Sequence, residues 1–184
     1  KDLLQKLSSD KRFVWIQRNI TPRQEYAINA LGDPALSFQE EDHRIYPAGN
    51  LAAHITGYTD RDGRGIAGVE KSFEKDLAAG EQPVALTIDL RVQHIVHAAL
   101  DKAMKKFHAK GGVGIVMDVN TGEMISLVSL PDFDPNHLND ATDDQKFNRA
   151  TLGVFEMGST FKLFSMAAAL DSGLVHFENT FDAS

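Results

Sequence analysis

Cysteine does not occur among the 184 residues. A disulfide framework and a thiolate metal site are therefore both excluded, while the redox compartment is left open. No apolar run approaches the ~20 residues needed to span a bilayer. No secretory leader is visible behind Lys1, and there is no initiator methionine. The sequence stops at Phe181-Asp182-Ala183-Ser184 without a terminating signal, so it reads as a piece of a longer chain. Positive charge is in the minority. Nineteen Lys and Arg stand against 26 Asp and Glu, a net charge of −7, which argues against nucleic acid as the main partner. There are no internal repeats and no low-complexity tracts. The chain is long enough for one domain of fair size or two small ones.

Two regions differ in texture. Residues 1–82 are irregular and rich in turn signals. Leu3, Leu4 and Leu7 suggest a short helix, and Thr21-Pro22 reads as an N-cap with a first-turn proline, opening a helix that stops at Gly32-Asp33-Pro34. Ser37–Gln39 and Arg44–Tyr46 read as short extended pieces. A helix is expected around Leu51–Thr56, then a loop over Asp60–Gly68, then a polar helix over Val69–Leu77. Residues 83–184 are more regular. Val84–Ile88 reads as a strand, and Asp89 as the cap of a long helix. Its apolar residues, Val92, Ile95, Val96, Ala99, Leu100, Ala103, Met104 and Phe107, have the spacing of one face. Val113–Asp118 and Glu123–Leu130 form a hairpin about Asn120-Thr121-Gly122, apolar enough to be covered on both faces. Pro131–Asp144 is a polar loop. The fold class expected is α+β.

The chemistry concentrates at Phe155-Glu156-Met157-Gly158-Ser159-Thr160-Phe161-Lys162. A serine with a lysine three residues on shares one helical face with it, but the pattern is common and occurs three times: Ser8/Lys11, Ser72/Lys75 and Ser159/Lys162. Context separates them. A lysine acts as a base only where burial or a nearby positive charge destabilises its ammonium. Lys11 lies beside Asp10 and Arg12 near a chain end. Lys75 lies among Glu70, Glu74 and Asp76. Lys162 is followed by Leu163, Phe164, Met166 and Ala167–Leu170, an apolar helix expected to be buried, which makes Lys162 the candidate low-pKa amine. Ser159 then sits near a helix N-terminus, where free N–H groups favour an oxyanion. The alternative on these residues alone is a core helix with Ser159 as N-cap and Lys162 reaching out to water.

Competing motifs are weaker. Gly63-Arg64-Gly65-Ile66-Ala67-Gly68 has dinucleotide-binding spacing, but Asp60 and Asp62 would repel a pyrophosphate and the following helix lacks an apolar stripe. Asp60-Arg61-Asp62-Gly63 hints at a calcium loop, yet Lys71 stands at the glutamate position. His94 and His97 could hold zinc, but no Glu completes a metalloprotease pattern, and a solvated helix face accounts for them. Asp132, Asp134, Asp140, Asp143 and Asp144 read as turn formers.

Ser-x-x-Lys is the nucleophile motif of penicillin-binding proteins and class A β-lactamases, and Phe155–Lys162 resembles the active-site segment of a class B penicillin-binding protein. The similarity extends to Leu86–Gln93, Met117–Glu123 and Pro131–Asn136. Upstream, Arg44–Gly49 and Gly65–Glu70 resemble motifs of that family's non-catalytic pedestal, and Phe13–Arg18 resembles the cell-division branch, the penicillin-binding protein 3 type. The resemblance implies a pedestal, of dimerisation type, over residues 1–82 and the N-terminal part of a transpeptidase domain over residues 83–184. Met157 stands where a proline often precedes the family's glycine. The family's second motif, Ser-x-Asn, and third, Lys-Thr/Ser-Gly, are not in the sequence, and neither is a membrane anchor. The expectation is an interior fragment with unpaired sheet edges, inactive alone.

The implied activity is D-alanyl-D-alanine transpeptidation on peptidoglycan. Ser159 is the nucleophile, Lys162 takes its proton, and the Ser159 N–H supplies half of an oxyanion hole. β-Lactam antibiotics would acylate Ser159, and no metal or cofactor is required. The implied parent is membrane-anchored at the periplasmic face of the bacterial inner membrane, with stem peptides as substrates and division-machinery membrane proteins as partners. Two other readings remain. One is a β-lactam sensor or serine β-lactamase, which leaves residues 13–80 without a counterpart. The other is a pedestal serving chiefly as an interaction module.

Overall fold

The computed structural model describes residues 2–8, 10–41, 43–80 and 82–181. The chain's last three residues, Asp182–Ser184, lie outside them. Two compact units are present. Lys1–Leu86 groups with Phe133–Asp140, and Thr87–Asp132 groups with Ala141–Ser184. Part of the expected polar loop, Phe133–Asp140, thus belongs to the first unit, and Pro135–Asp140 forms 3₁₀ turns. The architecture is α+β, as the sequence indicated.

In the first unit the short helices are fixed by local chemistry. α1 (Asp2–Leu7) is a single short helix. α2 (Pro22–Asn29) starts with a reciprocal capping box between Thr21 and Gln24, with Pro22 in the first turn. A 3₁₀ turn over Gly49–Ala52 runs into α3 (Ala53–Thr56), whose Ala53 is fully buried. The expected polar helix is broken at Phe73 into α4 (Gly68–Ser72) and α5 (Glu74–Ala79). α3 and α4 meet at two glycines with positive φ. A Cβ on Gly68 would lie 2.5 Å from the Gly57 nitrogen, and one on Gly57 would lie 1.8 Å from the Ala67 oxygen. Glu70 is buried and held bidentately by Arg44, Nε to Oε1 at 2.8 Å and Nη2 to Oε2 at 3.0 Å. Ser37–Gln39 and Arg44–Tyr46 are not strands. Tyr46 instead exchanges backbone bonds with the Asn136 side-chain amide, which accepts from its N–H at 2.9 Å and donates to its carbonyl at 3.0 Å.

The second unit is built on one helix and one hairpin. Asp89 accepts from the Arg91 N–H at 2.8 Å and caps α6 (Leu90–Phe107), which ends at His108 with φ +52. β1 (Gly112–Met117) pairs antiparallel with β2 (Met124–Leu130), Gly112 opposite Leu130 and Ile115 opposite Leu127. The connection is tied by Asp118, which accepts from the Asn120 N–H at 2.7 Å and the Thr121 N–H at 3.1 Å. α6 lies on the face that carries Ser126, Val128 and Leu130, all buried. The same face of β1 carries Gly112 and Gly114, and their bareness lets the helix close in. A Cβ on Gly114 would fall 2.6 Å from Val96 Cγ1.

Gln93 joins the two layers. It is buried at 1 % exposure. Its Nε2 donates to the Leu127 carbonyl at 2.8 Å, and its Oε1 accepts from the Leu127 N–H at 2.9 Å and the Ser126 hydroxyl at 2.8 Å. One side chain does for β2 what a neighbouring strand would do. Just upstream, the Asp89 N–H donates to the Ile125 carbonyl at 3.0 Å and Thr87 Oγ1 to the Met124 carbonyl at 2.6 Å. The expected strand over Val84–Ile88 is therefore not formed. Backbone and side-chain contacts to the β2 edge replace its ladder.

Two burial expectations are corrected. Ile95 and Phe107, which share the apolar spacing of one face of α6, are 66 % and 71 % exposed, because a two-stranded hairpin is narrower than that face. Ile115, Val116 and Met117 are also exposed, so β1 is not covered on both faces.

Replacing Gln93 with Leu leaves both Leu127 backbone groups and the Ser126 hydroxyl unpaired. Stability to chemical denaturation is expected to fall by about 2–5 kcal/mol. Gly114→Val is expected to cost about 1–3 kcal/mol in the same measurement, through overpacking against Val96. The Asn120 and then the Thr121 N–H groups hold the Asp118 carboxyl below its usual range. Its contribution is present above about pH 4 and is lost as pH falls through the depressed value. Amide exchange at Asn120 and Thr121 is expected to accelerate in acid in the native chain and to be pH-flat, beyond the intrinsic rate, in Asp118→Asn.

Candidate active site

Ser159 lies in a 3₁₀ turn, Gly158–Phe161, that leads directly into α9 (Lys162–Asp171). Gly158 opens the turn with φ +54, a left-handed conformation that suits glycine. The Thr160 N–H donates to the Met157 carbonyl at 3.2 Å, and the Lys162 N–H donates to the Ser159 carbonyl. That last bond sets Ser159 and Lys162 at the ends of one 3₁₀ step, where side chains three apart eclipse. Serine hydroxyl and lysine amine therefore leave the backbone on the same side, and the Ser159 N–H stands in the first turn, ahead of any intrahelical acceptor.

The burial expected of this helix is not observed. Every residue from Val154 to Ala168 is exposed, Lys162 included. The apolar side chains that suggested a core helix face solvent: Phe161 at 62 %, Leu163 at 71 %, Phe164 at 66 %. The reason is topological. Among the described residues the 3₁₀ turn before it is the only element that packs substantially on α9. The described residues thus place Ser159 and Lys162 on one face of the turn without the apolar enclosure that the sequence pattern led us to expect.

Upstream, α7 (Asp143–Lys146) begins with a Thr142–Gln145 capping box, and α8 (Arg149–Leu152) is capped by Asn148. The Arg149 N–H donates to the buried Ser129 Oγ at 2.9 Å, fastening α8 to β2. A cavity of about 400 Å³ is lined by Lys110, Gly111, Gly112, Val113, Arg149 and Phe155.

The competing motifs resolve individually. Ser72 ends α4 and Lys75 lies in α5 across the break at Phe73, both exposed. Ser8 comes directly after α1, and Lys11 is exposed. The glycine-rich stretch is a turn closed by a Thr59–Gly65 bridge, with Asp60 accepting from the Asp62 and Arg64 N–H groups at 2.9 Å each. Gly65 is needed because a Cβ there would lie 2.0 Å from the Glu70 oxygen. Arg18 stacks on Trp15 at 4.6 Å and reaches Asp62 at 3.2 Å. His94 is exposed, but His97 is not on a solvated face: its Nε2 lies 2.7 Å from Asp132 Oδ2, both partly buried. Asp132 is therefore a partner of α6, not a turn former. Asp134 does form a turn, and the Asn136 N–H, then His137, hold its carboxyl below the ordinary range. Among the described residues no three His, Cys, Asp or Glu gather as a metal site, and no helix is long and apolar enough to cross a membrane. Sequence reasoning missed Arg44–Glu70 and the fastening role of Arg149. Charges 26 residues apart carry no pairing signal, and a lone arginine before an apolar loop carries none either.

Ser-x-x-Lys at the start of an apolar helix in an α+β unit is a pattern shared with serine acyl-transfer proteins. Residues 112–184 match the penicillin-binding protein transpeptidase domain. The chain is 45 % identical over 168 residues to a protein of Caulobacter vibrioides named probable peptidoglycan D,D-transpeptidase FtsI, covering 89 % of this chain and 28 % of that one. It is 34 % identical over 189 residues to the Escherichia coli peptidoglycan D,D-transpeptidase FtsI, covering 89 % and 32 %. Penicillin-binding protein 3 of Mycobacterium tuberculosis superposes with TM-score 0.66 at 30 % identity, over 77 % of this chain and 34 % of that structure. A peptidoglycan synthetase of Bifidobacterium adolescentis gives TM-score 0.66 at 26 % identity, over 96 % and 37 %. The chain belongs to the class B penicillin-binding proteins of the FtsI type, and it spans about a third of the length of these relatives.

In the isolated 184-residue chain, the exposed Lys162 amine is expected to react with a water-soluble amine-directed ester as readily as Lys11, by peptide mass mapping. Selective protection of Lys162 would show that the helix is covered.

Proposed function

We propose that this chain forms part of a longer peptidoglycan D,D-transpeptidase, contributing pedestal residues 1–82 and the nucleophile-bearing front of the catalytic domain, residues 83–184. The observation that carries the reading is Ser159 and Lys162 on one side of the turn that opens α9, inside the segment matching the transpeptidase domain. Ser159 Oγ attacks the carbonyl carbon between the two terminal D-alanines of a stem peptide, and its proton passes to Lys162. The Ser159 N–H stabilises the oxyanion. The C–N bond breaks, and the departing D-alanine nitrogen takes the proton from Lys162. An amine of a second stem then attacks the ester, forming the cross-link and returning the proton to Ser159. A lysine takes this role where burial or a neighbouring positive charge disfavours its ammonium.

The relatives' names support septal cell-wall synthesis as the setting. On this reading the protein works at the periplasmic face of the bacterial inner membrane, with an anchor outside this chain. Stem peptides are substrates, β-lactams are acylating inhibitors, and division-machinery membrane proteins are partners.

The full-length protein is expected to be labelled covalently by a fluorescent penicillin, with the label on Ser159 by mass mapping. Labelling is abolished in Ser159→Ala and slowed by about 10²–10⁴ in Lys162→Met. The isolated chain stays unlabelled. Rapid release of hydrolysed penicillin by the full-length protein would instead indicate a β-lactamase.

A further inference from the structure

Arg149 is largely buried, with 14 % of its side chain exposed, and its backbone N–H and both terminal nitrogens are hydrogen-bonded. Its backbone N–H donates to Ser129 Oγ on β2 at 2.9 Å. Its guanidinium donates from Nη1 to the Asp144 carbonyl at 3.0 Å and from Nη2 to Asp144 Oδ1 at 2.5 Å. The same group lies 5.8 Å from the centre of the Phe147 ring. Its aliphatic stem and Nε fill the space over Gly111, where a Cβ would fall 2.8 Å from Cδ and 2.4 Å from Nε. One side chain thus ties the start of β1, α7 and α8 together.

The tether of the nucleophile begins directly downstream of Arg149. The Arg149 carbonyl accepts from the Gly153 N–H at 3.1 Å. The Phe155 ring occupies the site of a Gly153 Cβ, 2.6 Å from where it would stand, and lines the same cavity as Arg149. The next residues are Glu156, Met157 and the turn holding Ser159. Since α9 packs substantially only on that turn among the described residues, the hairpin constrains Ser159 chiefly through α8 and the segment Gly153–Met157. A planar guanidinium suits this task. It fixes two donors in one plane and stays charged when partly buried.

We propose that Arg149 is a positioning residue for acyl transfer. By binding Asp144 and packing over Gly111 it fixes the origin of the tether, and so the placement of the Ser159 hydroxyl against the acyl donor. The inference rests on the proposed acylation of Ser159. It predicts that loss of the clamp acts on the bond-forming step, where Ser159 Oγ bonds to the lactam carbonyl and the ring C–N bond opens with its nitrogen protonated, rather than on prior non-covalent binding.

The test tracks penicillin acylation of the full-length protein by stopped flow, separating the acylation rate constant from the non-covalent dissociation constant, with thermal unfolding alongside. Arg149→Met is expected to slow acylation by about 10–100-fold with the dissociation constant unchanged, and Arg149→Lys, which restores a single charged donor to Asp144, to recover part of the loss. If Arg149→Met fails to fold, Arg149→Lys and Asp144→Asn carry the measurement. Slower acylation in folded forms of these supports the clamp, and wild-type rates in both overturn it. A wild-type acylation rate in a folded Arg149→Met also overturns it, as does a loss confined to the dissociation constant. If the wild-type protein is not acylated at Ser159, the transpeptidase reading fails and this inference falls with it. A wild type that acylates normally beside an unaffected Arg149→Met rejects the inference alone.

Discussion

The second unit depends on one amide. A two-stranded hairpin is marginal in water by itself, and its outer backbone groups must find partners or stay wet. Gln93 answers both constraints from a position inside α6. Its side chain satisfies the N–H and C=O of Leu127 while its buried stem holds the helix against Val128 and Leu130. The bare faces of Gly112 and Gly114 then matter because the helix that carries the amide must come close enough to deliver it. The first unit uses the same device on a smaller scale, with the Asn136 amide bridging the Tyr46 backbone.

Much of this was legible in the chain. The caps at Thr21 and Asp89, the hairpin about Asn120-Thr121-Gly122 and the turn over Asp60–Gly68 all arise from short-range chemistry, where a side chain bonds to backbone two to four residues away. The features that escaped reading were long-range. Apolar spacing put Ile95 and Phe107 inside, since periodicity reports a face and not the width of what covers it. Val84–Ile88 has strand composition, but the edge it would have joined is taken by Gln93, by Asp89 and by the side chain of its own Thr87. His97 looked solvated because Asp132, its partner, lies 35 residues on.

The candidate site shows the same division between local and distant determinants. The side-by-side disposition of Ser159 and Lys162 comes from three-residue spacing at a helix start, and the structure has it. Enclosure of the amine is a property of neighbours that the sequence pattern only implied. Phe161, Leu163, Phe164 and Met166 are a buried composition on an exposed segment. In a chain that spans about a third of its relatives' length, Ser159 and Lys162 stand three residues apart at the start of α9, and the described residues leave that segment exposed.

The amide of Gln93 has one more effect, on the direction in which the sheet can be extended. In an antiparallel pair, opposite residues alternate between turning their backbone groups inward and outward. On β2 the outward-turned Ile125 and Leu127 are occupied by Asp89 and Gln93. On β1 the residues opposite Leu127 and Ser129 are Ile115 and Val113, and no strand among the described residues takes up that side. Among the described residues the open backbone edge is therefore that of Gly112–Met117, while Gln93, with Asp89 and Thr87, fills the β2 side and gives the hairpin two unlike edges.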